Sequence, residues 1–261
     1  MKVDVKGCAI CAPGLPDWPR AVEVLCGRAA YDRSSTRDAA PVMMPPNERR
    51  RLPATARVAI GVEAEALQAA GIDAAGIATV FTSCGSDAQI THEICKSLSH
   101  VPPDVSPTRF HNSVHNAPGG YWSIALRSHA PSTSLCAYEG SFSAGLLEAA
   151  AQVLTEDRPV LLIAYDLAYP APLSSLWNVP LPFSVALLVA PHREPGGAAI
   201  VVEFVDGHQA TSWPVEVPLE VAGNPAGASV PLLALLARGV TGRVVLPCQP
   251  DNAVAVTLLA S

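Results

Sequence analysis

The sequence predicts an α/β fold, and three observations carry the prediction. Ala130 to Asp166 (APSTSLCAYEGSFSAGLLEAAAQVLTEDRPVLLIAYD) reads as strand, abrupt turn, helix, short loop and strand. Strand-like and helix-like segments alternate through the residues before it. The 261 residues are 49% hydrophobic and 15% charged, which gives a globular chain with material for a sizeable core.

Val3 to Ile10 is the first strand and runs into the Pro13-Gly14 turn. Trp18 to Gly27 is a short amphipathic helix, and Tyr31 to Pro46 is a polar, proline-bearing passage. Asn47-Glu48-Arg49-Arg50-Arg51 leads into Ala54 to Ala70, whose alanines and valines suit one long buried helix. Ile77 to Ser83 is the next strand, and Gly85-Ser86-Asp87 opens a helix over Ala88 to Ser99. In the central unit, Ser132 to Tyr138 is β-prone, with Pro131 just outside it. Glu139, Gly140 and Ser141 make the break, with Ser141 placed to cap the helix that follows. Phe142 to Leu154 then sets Leu146, Ala149, Ala150 and Val153 on one helical face. Val160 to Tyr165 is an apolar run of the fully buried kind expected in a parallel sheet. Leu167 to Pro182 is a proline-rich surface excursion in which Leu173, Leu176 and Trp177 serve either as interface anchors or as satellite core contacts. Phe183 to Ala190 and Ala198 to Asp206 are expected to pair across the turn from His192 to Gly197. Asn224 to Arg238 holds a helix built on Leu232, Leu233, Leu235 and Leu236, and Arg243 to Leu246 and Ala253 to Leu259 close the chain as two strands.

Charge and composition narrow the function classes. A net charge of −6 argues against nucleic acid or an anionic membrane as the main partner. No apolar run reaches membrane-spanning length and MKVDVKGCAI lacks a signal-peptide h-region, so a cytoplasmic address is expected. Seven scattered cysteines suit a reducing compartment better than a disulfide framework. Cys8 and Cys11 match C-x-x-C, but a redox or zinc role needs a helix start or a second ligand pair, and a strand end is the simpler account. The arginines at 49–51 suit a solvated or ion-paired helix start, and such a triplet can also bind a phosphate.

Two stretches carry candidate chemistry. A strand that turns sharply into a helix presents one side chain where backbone N–H groups converge, and here that residue is Glu139. A carboxylate there can accept backbone N–H bonds and hold the elbow together, whereas a general-base role would need a desolvating pocket. The second stretch is Ser106 to Leu126, SPTRFHNSVHNAPGGYWSIAL. His111 and His115 are four apart, as in a helical metal pair, but no carboxylate lies between them. Asn112, Asn116 and Pro118-Gly119-Gly120 fit a buried polar turn.

The Pro131-Ser132 opening, the elbow and the small-residue helix together resemble the nucleophile region of β-ketoacyl synthases, the condensing enzymes of fatty acid and polyketide synthesis. The resemblance implies a thiolase-like layered αβαβα fold, its first half complete over 1–166 and its second half shortened to 167–261, within one compact domain. It sets the place of the family's nucleophilic cysteine on Glu139, with Cys136 three residues too early. It also implies two histidines in the second half, but only His192 and His208 follow the elbow, both in turns. The family's Cys-His-His set is thus expected to be missing. Phe110-His111-Asn112-Ser113-Val114-His115-Asn116 is similar to one branch in particular, the short chain-length-factor proteins of aryl polyene pathways. That likeness implies a non-catalytic subunit pairing with an active β-ketoacyl-carrier-protein synthase, with Phe110, His111, Asn112, His115, Asn116, Trp122, Ser134, Cys136 and Tyr138 at the pocket or interface. No resident cofactor is implied, only the phosphopantetheine of an acyl carrier protein as a visiting group. Two alternatives stay open: a diverged condensing or decarboxylating enzyme using Glu139, and a homodimeric acyl-binding protein.

Overall fold

The computed structural model describes residues 1–38, 41, 44–193, 198–207 and 211–259. In chain order the elements are β1 (Lys2–Cys11), α1 (Trp18–Leu25), α2 (Pro46–Arg49), α3 (Ala54–Ile60), α4 (Glu63–Ala70), β2 (Ala78–Thr82), α5 (Ala88–Leu98), α6 (Pro107–Asn112), α7 (Ala117–Leu126) and β3 (Ser132–Leu135). They continue with α8 (Ser141–Glu156), β4 (Val160–Asp166), α9 (Leu173–Leu176), β5 (Phe183–Pro191), β6 (Ala198–Asp206), α10 (Val230–Arg238), β7 (Gly242–Gln249) and β8 (Asn252–Leu258). The strands form one mixed sheet in the order β3-β2-β4-β5-β1-β6-β8-β7. β2 is parallel to β3 and β4, and the remaining pairings are antiparallel.

Two cores explain the layering. On one face of the first strands, Phe81, Leu161, Ile163 and Leu188 pack with Ala56 and Ile60 of α3, Ala66 and Leu67 of α4 and Trp122 of α7. On the other, Val80, Leu162, Val185 and Leu187 meet Phe142, Leu146, Ala149 and Val153 of α8. That second core also takes in Ile200, Val244, Val254 and Val256 from the last strands and Leu232 and Leu233 of α10. α8 therefore packs against β2, β4 and β5 and also against β7 and β8, and the sheet curls around it. Gly145 makes the close approach feasible, because a Cβ there would sit 2.7 Å from Thr82 Cγ2 and 2.8 Å from Leu162 Cδ1.

Several elements differ from the sequence expectation. The helix expected over Ala54 to Ala70 is two helices, since Gly61 closes α3 and the bend turns α4 onto β1. Asn224 to Arg238 starts as a 3₁₀ turn over Pro225–Ser229 before α10 begins. β5 and β6 do not pair with each other, because β1 lies between them. β1 can occupy that central place because its side chains are buried on both faces, Val3, Val5 and Ile10 in one core and Ala9 and Cys11 in the other. Buried Asp4 staples the junction: its Oδ1 lies 2.7 Å from His192 Nδ1, its Oδ2 accepts from the Arg193 N–H, and Lys6 Nζ is 3.2 Å away. Burial opposes the Asp4 charge, but His192, Arg193 and Lys6 outweigh it and hold the carboxyl below its usual range. Cys8 and Cys11 are both buried on β1, and burial pushes the Cys8 thiol up to about 12. Among the described residues no helix is long and apolar enough to cross a membrane.

Candidate functional site

The elbow begins earlier than its sequence suggests. β3 leaves the sheet after Leu135, so the strand expected through Tyr138 is four residues long. A single 3₁₀ turn over Tyr138–Gly140 follows, and α8 starts at Ser141. Tyr138 has φ 56°, a left-handed conformation that an aromatic residue keeps only when its surroundings impose it. Here the imposing contact is a stack on Trp177, with ring centroids 3.8 Å apart. Trp177 is thereby an anchor within the chain, while its neighbour Leu176 remains 86% exposed. Tyr169 meets the edge of Trp177 at 5.6 Å and brings its hydroxyl to 3.0 Å from Cys84 Sγ. Ser141 is inside the helix and does not cap it: its Oγ accepts from the Ala137 N–H at 3.1 Å, and its proton faces the Tyr138 and Ser83 carbonyls at 2.7 and 3.0 Å. The hydroxyl thus ties the elbow to the end of β2.

Asp166, at the end of β4, forms the floor. Its Oδ1 accepts from the Cys84 N–H at 2.9 Å, and its buried Oδ2 has no partner among the described residues. Asn224 Nδ2 donates to the Asp166 and Leu181 carbonyls at 3.2 and 2.9 Å. Burial pushes the Asp166 carboxyl up to about 7 and raises the Cys84 thiol and the Tyr169 phenol as well. The groups beneath the elbow are therefore biased toward their neutral forms.

The β7–β8 hairpin closes one side of the elbow. Gly140 has no room for a side chain, because a Cβ would run into the Cys248 carbonyl. Ser143 Oγ donates to the Pro247 carbonyl at 2.6 Å, a second tie to the same hairpin. Between elbow and hairpin lies a cavity of about 720 Å³ bordered by Tyr138, Glu139, Val245, Pro247, Cys248 and Ala253. Glu139 is exposed and is the one acidic side chain among the described residues lining it, and none of those residues is a histidine. Burial raises the Cys248 thiol, which disfavours the thiolate. This cavity suits an apolar group set beside a carboxylate, and its elbow tip offers no thiol.

On the other side, a second cavity of about 660 Å³ runs along the unpaired edge of β3. Ser86, His115, Asn116, Ser132, Ser134 and Cys136 line it, so four of the residues singled out in the sequence come together here. The Cys136 thiol is desolvated by its surroundings and raised, and it lies 4.0 Å from Ser83 Oγ. Ser106 to Leu126 is not a polar turn but two helices, α6 and α7. Pro118 falls in the first turn of α7, where a missing N–H is harmless, and Gly119 packs so closely that a Cβ would lie 2.9 Å from Ser132 Oγ. His111 lies in the last turn of α6 and His115 lies beyond the helix, so the two do not share a helical face. Asn112 is buried and accepts from the Tyr121 hydroxyl at 2.9 Å. Trp122 is a core residue, not an interface residue, because its ring is 1% exposed and meets Phe81 edge-on. Phe110 is 66% exposed on the same block. Of the two downstream histidines, His192 is engaged by Asp4 and His208 lies outside the described residues. Among the described residues no group of three His, Cys, Asp or Glu side chains is placed to hold a metal ion.

Sequence reasoning found the elbow but missed its walls. The hairpin reaches Glu139 only through tertiary packing, as Tyr169 reaches Trp177 and Asp166 reaches Cys84. The sole local signals were Gly140 and the prolines at 247 and 250.

Comparison with known proteins accounts for this arrangement. The family model described as "Beta-ketoacyl synthase, N-terminal domain" matches residues 27–213. A solved ketosynthase (ApeO) in complex with its chain length factor (ApeC), from Xenorhabdus doucetiae, includes a chain similar to this one with a TM-score of 0.75 at 22% identity, covering 98% of this chain and 99% of that one. The ishigamide ketosynthase/chain length factor gives a TM-score of 0.71 at 13% identity, and a β-ketoacyl synthase from Burkholderia phymatum STM815 gives 0.70 at 10%, both over 100% of either chain. No curated protein matches the chain. At these identities the structures establish a shared fold, the layered thiolase-like α/β arrangement of ketosynthases. Because the family model spans most of the chain, from the end of α1 to beyond β6, this protein belongs to the β-ketoacyl synthase family.

Proposed function

We propose that this chain is a non-catalytic, chain-length-factor type subunit that pairs with an active β-ketoacyl-carrier-protein synthase. The observation that carries the proposal is the elbow tip, where Glu139 stands with no thiol and the cavity beside it is lined by no histidine among the described residues. Condensation needs a thiolate to take up the acyl chain, and a carboxylate forms no comparable thioester. Of the nearby thiols, Cys248 and Cys84 are buried and raised by that burial, and Cys136 stands three residues before the tip. The unpaired edge of β3 and the exposed Phe110, Val114 and Ile124 beside it supply a surface for the synthase. Two of the solved structures to which the chain is similar are described as a ketosynthase with its chain length factor. The pairing would serve aryl polyene, type II polyketide or fatty-acid-like synthesis in the cytoplasm, with an acyl carrier protein delivering substrate on its phosphopantetheine.

Co-expression with the synthase encoded nearest to it, followed by size-exclusion chromatography with mass measurement, tests the pairing. A stable one-to-one complex is expected. A homodimer that ignores the synthase would overturn it and favour a binding protein acting by itself.

A further inference from the structure

We propose that the arginines around α2 and α3 form a binding site for a phosphate monoester. Arg49, Arg50 and Arg57 line one groove of about 250 Å³ together with Asp38 and Pro41. Arg49 Nε donates to the Met44 carbonyl at 3.0 Å, which fixes the guanidinium plane and leaves its terminal nitrogens for a ligand. Several arginines elsewhere pair with carboxylates, as in Arg28–Glu23, Arg33–Glu220, Arg109–Glu93, Arg193–Asp157 and Arg238–Glu216, while Arg20, Arg51, Arg127 and Arg243 stand apart from one another without such a pair among the described residues. Among the described residues Arg49, Arg50 and Arg57 form no such pair, although Asp38 lines the same groove.

Three guanidinium groups around one groove repel one another, and an anion with several acceptor oxygens relieves that repulsion. Planar N–H forks match phosphate oxygens two at a time, which lysines in the same places could not do. The volume lies below the range of about 300–1,000 Å³ usual for drug-sized ligands, so the groove itself accommodates a phosphate and a few attached atoms. Asp38 opposes a bare anion, so its removal is expected to tighten binding. The groove shares no lining residue with either cavity at the elbow, and the inference stands independently of the proposed pairing.

Isothermal titration calorimetry of the full chain with inorganic phosphate, at low salt and pH 7.5, tests the site. Saturable one-to-one binding is expected. Arg50→Gln with Arg57→Gln should weaken it by at least about tenfold, the scale of one lost charge-assisted hydrogen bond or more. Asp38→Asn should strengthen it. Arg51→Gln, exposed beside Arg50 but outside the groove, should change it less than about twofold, since only bulk charge is lost. All variants are to be compared at matched melting temperature, and because the substituted side chains are exposed, folding is expected to be unaffected. Absence of saturable binding, or equal weakening by Arg51→Gln, would overturn the site.

Discussion

The centre of the sheet and the elbow bury a carboxylate in opposite ways. At β1, Asp4 is fully enclosed yet meets His192, Lys6 and a backbone N–H, so its charge is retained and ties β1 to the end of β5. Beneath the elbow, Asp166 is just as enclosed, but one oxygen has no partner among the described residues and the carboxyl is pushed toward its neutral form. The first arrangement is what a fold uses to fix register. The second is a buried polar group left partly unsatisfied, which folds tolerate mainly around sites. Among the described residues Asp166 Oδ2 shares this state with Glu63 Oε2, Trp122 Nε1, Arg158 Nε and Glu216 Oε2, so the elbow is one of several places where the fold leaves a polar atom unsatisfied.

Substitutions can break or sharpen this contrast. The largest expected effect is Asp4→Asn, which strips a charge from a buried ion-paired cluster and should cost about 2–4 kcal/mol at pH 7. Because the folded Asp4 carboxyl is held below its usual range, that stability is present above about pH 4 and fades as pH falls through the folded value. Urea unfolding at pH 7 and pH 3 should therefore show a gap between parent and variant that shrinks at the lower pH. Next comes Gly140→Ala, whose methyl would run into the Cys248 carbonyl, with an expected loss of about 1–3 kcal/mol in the same assay.

Asp166→Asn should act with the opposite sign. The folded carboxyl is raised to about 7, so its neutral form is favoured in the fold and its cost accrues as pH rises from about 4 through 7. The amide can still accept from the Cys84 N–H, and the groups facing it, Cys84 and Tyr169, are themselves held neutral. The variant should match the parent near pH 4 and exceed it by about 1–2 kcal/mol at pH 8. Glu63, raised to about 8 by burial, shares this sign and should leave a residual slope in the variant. Trp177→Ala removes the stack that imposes the left-handed Tyr138 and should cost about 1 kcal/mol, with a change in tryptophan fluorescence. Exposed Glu139→Ala should change stability by less than about 0.5 kcal/mol.

What the sequence made legible follows from range. Strand β4, helix α8 and the elbow between β3 and α8 rest on local periodicity and turn residues, and they were foreseeable to within a few residues. The split of α3 from α4 at Gly61 was not, because one glycine in an alanine-rich run has no helix-ending signature unless β1 is known to lie beneath it. The place of β1 between β5 and β6 was hidden for the same reason, since adjacent strands in sequence are the default partners. At the site, Glu139 was visible as the elbow tip, but the hairpin that walls it begins more than a hundred residues later. Trp122 looked like an interface aromatic and is a core ring, a distinction set by its packing on Phe81 of β2.

The proposed non-catalytic role requires that the elbow of this chain perform no turnover. The most direct measurement is malonyl-carrier-protein decarboxylation by the co-expressed complex and by this chain alone, with Glu139→Ala here and with the synthase's cysteine removed. No activity is expected from this chain alone, unchanged activity from the complex with Glu139→Ala, and loss when the synthase's cysteine is removed. Turnover by this chain alone that disappears with Glu139→Ala would contradict it and make Glu139 a catalytic residue.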